Sequence, residues 1–203
     1  MISPSREVPI DPAHAALLII DVQNYCVRAE VAKTEYFRRG LRSTVLPNIR
    51  RLRSVCRSCG IEVMYSVIEN MTRDGRDRSL DYKISGIDVP RGSWVAQVLD
   101  EIAPVDDEMI FRKTSSSVFV STNIDYVLRN LEVRSLMVAG LLTDQCVESA
   151  VRDACDLGYL VTLVVDACTT TSAERHEQSL IGIRGYCRQR TTDTLLTEIG
   201  ELI

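Results

Sequence analysis

The chain has 203 residues, 45% of them hydrophobic and 26% charged, with a net charge of −4. That balance suits a single globular domain over residues 1–203 with a full-sized core. No basic tail or arginine-rich run points to nucleic acid, and no apolar run reaches membrane-spanning length. The N-terminus lacks the apolar core of a secretory leader, so the protein is expected in the cytoplasm. Seven cysteines, an odd number spread through the chain, fit reduced thiols better than a disulfide framework.

Residues 1–14 carry three prolines and read as an irregular N-terminal arm. Residues 15–20 are a continuous apolar run, predicted to be a central buried strand, and Asp21 ends it. An acid at the carboxyl end of a parallel strand is either a site residue or a turn cap. Residues 27–42 read as a loop entering a helix. Over residues 44–59, Val45, Ile49, Leu52, Val55 and Cys56 recur at helical spacing, with Arg50, Arg51, Arg53 and Arg57 on a solvated opposite face. Cys56 and Cys59 form a lone C-x-x-C with no second pair, at the end of that helix. Residues 61–68 form the second predicted strand. The long connection 69–107 is a candidate lid or binding loop, with a short helix expected over 95–102.

A third strand covers 109–111, followed by Arg112 and Lys113, and a helix is predicted over 122–131. Leu136 to Ala139 is a fourth buried run, closed by Gly140. Thr143 or Asp144 is placed to cap a helix carrying Val147, Ala150, Val151, Ala154 and Leu157, with Gly158 as its stop. A fifth strand over 159–165 ends at Asp166. A helix over 173–186 bears His176, and a short strand (187–191) and a helix (193–202) close the chain. Strand and helix alternate throughout, which calls for a parallel sheet with helices on both faces.

Cys146 falls in the first turn of the helix after the fourth strand. Free N–H groups and the helix dipole there favour a thiolate and can hold an oxyanion; otherwise the residue is a small buried hydrophobe. A cysteine nucleophile needs a base or a cation beside it. His14 lies at the wrong end of the sheet, and His176 reads as readily as a cap or core contact. Asp21 and Lys113, each at the carboxyl end of a strand, would serve instead: Asp21 as base, Lys113 as the charge that keeps carboxylate and thiolate ionised.

With these residues in place, the chain resembles the isochorismatase-like cysteine hydrolases. Asp21-Val-Gln-Asn24, Phe111-Arg-Lys113 with Ser117-Val-Phe119, and Gly140-Leu-Leu-Thr-Asp-Gln-Cys-Val147 match that family's aspartate, lysine and cysteine motifs. Gly92-Ser-Trp94 and the stretch from Asp166 also agree. The resemblance implies a three-layer α/β/α, Rossmann-like fold with a six-stranded parallel sheet of order 3-2-1-4-5-6. It also implies a catalytic set of Asp21, Lys113 and Cys146. A cis Leu141–Leu142 bond would turn the Leu142 N–H, with that of Cys146, toward a substrate oxygen.

Departures from family patterns narrow the chemistry. Vinyl-ether-cleaving isochorismatases lack the nucleophilic cysteine. Nicotinamidases carry an Asp-x-His box where this chain reads Ser66-Val-Ile-Glu-Asn70, and an aromatic residue where this chain has Cys26. No metal and no cofactor are therefore expected. The implied reaction is hydrolysis of a small amide, ureido or carbamoyl compound, as in the ureidoacrylate, carbamoylsarcosine and biuret hydrolases. A nicotinamidase-like deamidase, or a non-catalytic member that binds a metabolite or protein, are the alternatives. Candidate substrate-binding residues are Gln23, Tyr25, Asn70, Arg73 and Ser117. Arg73, Arg76 and Arg78 either fork a substrate carboxylate or belong to a charged surface loop. A homodimer or homotetramer is expected from the resemblance.

Overall fold

The computed structural model describes residues 5–200. Residues 1–4 of the expected arm, and residues 201–203, into which the last predicted helix extended, lie outside the described residues. Six parallel strands form one sheet: β1 (Ala15–Ile20), β2 (Glu62–Ile68), β3 (Met109–Lys113), β4 (Ser135–Leu141), β5 (Leu160–Thr169) and β6 (Arg188–Arg190), in the order β3-β2-β1-β4-β5-β6. β1 is buried along its whole length, and successive side chains leave it to opposite faces. Leu17 and Ile19 join a core with Phe37 of α1 (Glu35–Gly40), Ile49 and Leu52 of α2 (Leu46–Ser58), and Leu195 and Ile199 of α8 (Thr192–Gly200). Ala16, Leu18 and Ile20 join the other core. There they meet Ile124 and Leu128 of α5 (Ile124–Asn130), Ala150 and Val151 of α6 (Glu148–Asp156), and Ile183 of α7 (Ala173–Ile183). The fold is thus three layers, α/β/α.

Several elements differ from the sequence expectation, each for a local reason. The first long helix begins at Glu35, capped by Thr34, and passes through a π turn (Leu41–Val45) before α2. Pro47 stands in the first turn of α2, where it has no N–H to give the preceding turn. The arginine face is not simply solvated. Arg53 is buried, donates to Ala103 O at 2.7 Å and lies over the Tyr65 ring at 5.8 Å, while Arg57 forks onto Glu108.

No helix forms over 95–102. Two single 3₁₀ turns, Trp94–Ala96 and Asp100–Ile102, flank an antiparallel bridge between Val98 and Gln23. The segment after β1 takes the backbone groups a helix would need: Asn24 N–H donates to Gln97 O, and Leu99 N–H to Val22 O. The helix predicted over 122–131 forms as α5, and a separate short helix that the sequence did not suggest, α4 (Val118–Ser121), precedes it. β5 does not end at Asp166 but runs to Thr169 past an irregularity in its pairing with β4, and Asp166 instead accepts from Thr192 N and Oγ1 at the head of α8. Neither Thr143 nor Asp144 caps its own helix. That helix opens with a π turn (Thr143–Val147), Thr143 bonds His176, and Asp144 accepts from Thr170 and Arg175.

β1 and β4 are neighbours whose crossovers leave in opposite directions, the switch point at which open α/β sheets place their ligands. Gly140 makes their close approach possible. Its φ is +128°, and a Cβ there would stand 2.1 Å from Ile20 O. Gly140→Ala combines overpacking, about 1–3 kcal/mol, with a strained backbone, about 1–3 kcal/mol. It should lower unfolding free energy by about 2 kcal/mol or more in urea titration. Gly158→Ala, at φ +95° with open space around it, should cost only the backbone part. Equal losses for the two variants would mean that the β1–β4 contact is not what Gly140 protects.

Candidate active site

Asp21 follows β1 directly and holds a left-handed backbone, φ +53°. Its N–H donates to Ser66 O on β2, and its Oδ1 accepts from Ser66 Oγ at 2.9 Å. Two bonds to one residue of the next strand fix the carboxylate. Lys113 is the last residue of β3 and pairs in register with Ile68 of β2. Its side chain is fully buried and crosses beneath the end of β2, so that Nζ lies 2.8 Å from Asp21 Oδ2. That oxygen takes part in the ion pair without accepting an aligned hydrogen bond. Nζ also donates to Tyr82 OH at 2.9 Å, Ser115 O at 2.9 Å and Cys146 Sγ at 3.3 Å. Four acceptors therefore surround an ammonium with three hydrogens.

Cys146 sits in the π turn after β4 and is buried. Its thiol pKa is pushed up to about 12, first by burial and then by the Asp21 charge; the Lys113 charge and a hydrogen bond with Tyr82 pull the other way. The sequence expectation was a thiolate favoured by the helix terminus and Lys113. Burial opposes both, and its direction favours the neutral thiol. Lys113 shows the reverse balance. Burial disfavours its charge, but Asp21, Cys146 and Tyr82 together raise its pKa above the ordinary lysine value. The Leu141–Leu142 peptide bond, at the end of β4, is cis.

Asp21, Tyr82 and Cys146 line a cleft of about 500 Å³, whose walls include Tyr25, Ile68, Ile87, Leu141, Leu142 and Ser116. Tyr25 is thus the one sequence-proposed binding residue that faces it. Gln23 is fully buried behind it: Nε2 donates to Ile68 O and Val95 O, and Oε1 accepts from Ile68 N–H, which uses the amide to tie β2 to the long connection. Asn70 is likewise buried, donating to Asp88 Oδ1 at 2.6 Å. Ser117 caps α4, accepting from Phe119 N–H; its neighbour Ser116 faces the cleft. Arg73 is exposed in a shallow depression with Arg76 and Arg91, away from Cys146. Arg78 is held by Gly75 O and Ile87 O.

Tyr82 is the site residue that sequence reasoning missed. It lies on α3 (Leu80–Ile84), a five-residue helix capped by Ser79 inside the long connection. Its hydroxyl donates to Ser115 O at 2.9 Å and stands 3.7 Å from Cys146 Sγ. Cys26 also lines the cleft, donating to Asp21 O at 3.0 Å, and burial pushes its thiol pKa well up.

His14 pairs with Asp11 ahead of β1. His176 bonds Thr143 Oγ1 at 2.8 Å and lines a separate cavity of about 640 Å³ beside the π turn at Leu41–Val45. Cys56 is buried in the core while Cys59 is partly exposed, so the C-x-x-C offers no paired ligand face. Among the described residues no group of three His, Cys, Asp or Glu side chains is arranged to hold a metal. No helix of the described residues is long and apolar enough to cross a membrane.

An isochorismatase domain profile matches residues 15–197. Ureidoacrylate amidohydrolase RutB of Rhizobium rhizogenes is 28% identical over 183 residues, covering 81% of this chain and 74% of that protein. N-carbamoylsarcosine amidase of an Arthrobacter species is 33% identical over 121 residues, 57% of this chain and 46% of the relative. Among solved structures, a cysteine hydrolase from Pseudomonas syringae pv. phaseolicola aligns over 100% of both chains with a TM-score of 0.86 at 24% identity. N-carbamoylsarcosine amidase from Thermoplasma acidophilum aligns over 88% of this chain and 96% of its own, with a TM-score of 0.74 at 23% identity. The profile match runs from β1 into α8, through all six strands and the cleft between them, and the chain belongs to the isochorismatase family.

Proposed function

We propose that the protein is a cysteine-dependent amidohydrolase that cleaves the C–N bond of a small amide, ureido or carbamoyl compound. The observation that carries this reading is the buried cluster in which Lys113 Nζ lies 2.8 Å from Asp21 and 3.3 Å from Cys146 at the floor of a ligand-sized cleft. The amidohydrolase names of the relatives support the same bond type.

As the neutral Cys146 thiol attacks the carbonyl carbon, its proton passes to Asp21. Negative charge developing on the carbonyl oxygen is met by the backbone N–H groups of Leu142 and Cys146. The C–N bond then breaks, and the leaving nitrogen takes the proton from Asp21. The acyl group remains on sulfur as a thioester, or as a thiocarbamate from a ureido substrate. A water molecule adds to that acyl carbon with Asp21 as base, the C–S bond breaks, and the thiol is restored. Lys113 holds the carboxylate in place and offsets negative charge on sulfur, and the Tyr82 hydroxyl can turn its one hydrogen from Ser115 O to the same atom as that charge develops. The substrate is a small molecule, and the chemistry needs no cofactor.

Ammonia release over a panel of amides and carbamoyl compounds tests the reading. Cys146→Ala and Cys146→Ser should abolish release from any substrate so found while leaving the fold intact by circular dichroism. Retention of most activity by either variant would rule out the covalent route. Activity should also survive exhaustive chelation; loss on chelation with recovery on adding zinc would replace this chemistry with a metal-assisted one.

The neighbours of Cys146 act on its thiol in opposite directions, and the signs can be read separately. Below the thiol pKa, alkylation by iodoacetamide follows the thiolate fraction, so a shift of 1.36 kcal/mol changes the rate about tenfold. Tyr82→Phe and Lys113→Met remove groups that lower the pKa, and both should slow labelling at neutral pH. Asp21→Asn removes a charge that raises it, and should speed labelling even though turnover is lost. Lys113→Met leaves Asp21 buried without its counter-charge, a loss of about 3–5 kcal/mol, so its melting curve is measured alongside. Tyr82→Phe tests the same sign without that cost. Superimposable pH–labelling curves for all three variants would remove this cluster from control of the thiol.

A further inference from the structure

We infer that the cleft over Cys146 excludes anions, so that the substrate is a small amide or ureide carrying no carboxylate. The inference rests on the hydrolase reading for the word substrate, but its physical basis is a cleft whose inner charges are already paired and whose inner walls are aliphatic. Three acids, Asp21, Glu30 and Asp81, line the cavity, against one base, Lys33. Asp21 is matched by Lys113 behind it. Lys113 has nothing further to offer a ligand, since its three hydrogens already serve Tyr82, Ser115 and Cys146 and its charge is paired with Asp21.

A carboxylate entering such a space needs a fork of donors, which arginine supplies best. Among the described residues no arginine lines this cleft, and the arginines bordering it are committed to the protein itself. Arg28 pairs with Glu30, Arg38 donates to Ala32 O and Lys33 O, and Arg78 donates to Gly75 O and Ile87 O. Lys33 is exposed at the rim, as Glu30 and Asp81 are, so its charge is largely solvated and is not fixed by the protein. The inner walls, Ile68, Ile87, Leu141 and Leu142, are aliphatic. A carboxylate carried down to Cys146 would lose its water against these side chains and gain no fixed cation. Ureidoacrylate and N-carbamoylsarcosine, named for the relatives, are both carboxylates. The inference therefore separates this chain from the activities those names describe.

Iodoacetamide and iodoacetate test it, because they differ only in the group that replaces the amide and both alkylate the same sulfur. The second-order rate of each at Cys146 is measured on the whole protein at about pH 9, where every carboxylate is ionised, by peptide mapping. Each rate is divided by that of Cys146 in the urea-unfolded chain, which cancels intrinsic reactivity. The folded protein should favour iodoacetamide over iodoacetate by about tenfold or more beyond the unfolded chain, the size of a modest charge–charge interaction. Asp81→Asn should narrow that preference, and added salt should narrow it further.

A ratio equal to that of the unfolded chain, or one favouring iodoacetate, overturns the inference. In the second case, loss of the iodoacetate advantage in Lys33→Gln would identify Lys33 as a carboxylate anchor. Because labelling needs no turnover, this result is independent of the ammonia assay. A chain that rejects iodoacetate but releases no ammonia from any amide keeps the charge inference and loses the hydrolase reading. A chain that hydrolyses amides but accepts iodoacetate does the reverse.

Discussion

The buried ammonium of Lys113 sets the terms for everything around it. A charge removed from water must be paired and hydrogen-bonded, or it costs several kcal/mol. Asp21 supplies the pair, and Tyr82 OH and Ser115 O supply the remaining acceptors. These come from separated parts of the chain: the end of β1, a helix in the long connection, and the turn after β3. Each must be held, and the buried polar side chains around the cluster do the holding. Ser66 fixes the Asp21 carboxylate, and Gln23 binds the N–H and the carbonyl of Ile68 and the carbonyl of Val95. Glu69 accepts from Gly92 N–H and pairs with Arg112 beside Lys113. The connection over residues 69–107 is thus part of the scaffold of the ion pair. It builds one wall of the cleft and delivers the hydroxyl that Lys113 needs.

The second constraint is steric. Cys146 can stand beside Asp21 only if β4 comes close to β1 at its carboxyl end, and Gly140 allows this by having no Cβ to place against Ile20 O. Beyond it the chain enters a π turn rather than a regular helix, and the turn is anchored from outside. Thr143 bonds His176, its carbonyl accepts from Ser179, and Asp144 is held by Thr170 and Arg175. α7 therefore braces the turn that carries Cys146. His176, one of two histidines in the chain, serves in that brace and does not face the thiol.

How much of this can be read from sequence depends on whether a residue's neighbours are set by an extended element. Asp21, Lys113 and Cys146 each follow or close an apolar strand run, and a parallel sheet brings the carboxyl ends of its strands to one edge. Their convergence was therefore legible once the strands were. Tyr82 was not, because a five-residue helix shows no periodicity, and one tyrosine between Asp81 and Lys83 looks like surface. Gln23, Asn70 and Ser117 failed in the opposite way. They stand in or beside the motifs, yet an amide that satisfies buried backbone groups and an amide that faces a ligand have the same letter. The helix expected over 95–102 failed because its backbone groups pair with the segment after β1. Asp166 misled because an acid inside a strand was read as its end, when its partner, Thr192, lies far along the chain.

The protonation of Cys146 follows from weighing these local effects against one another. A helix terminus contributes about 0.3–1 kcal/mol to a nearby charge and fades within a turn. Removing a thiolate from water is a larger effect, and here it is reinforced by a carboxylate on the same side of the cleft. A neutral thiol beside Asp21 leaves Lys113 with a single strong counter-charge, its ion-pair partner Asp21. Ionising the thiol in advance would put two negative groups against one ammonium in a space with little water. Within the proposed chemistry, proton transfer and attack on the carbonyl then occur together. The negative charge moves from Asp21 through sulfur to the substrate oxygen, while the positive charge on Lys113 stays fixed. The arrangement stabilises the redistribution of one negative charge more readily than the arrival of a second, which is the same electrostatic reason that an anionic substrate fits the cleft poorly.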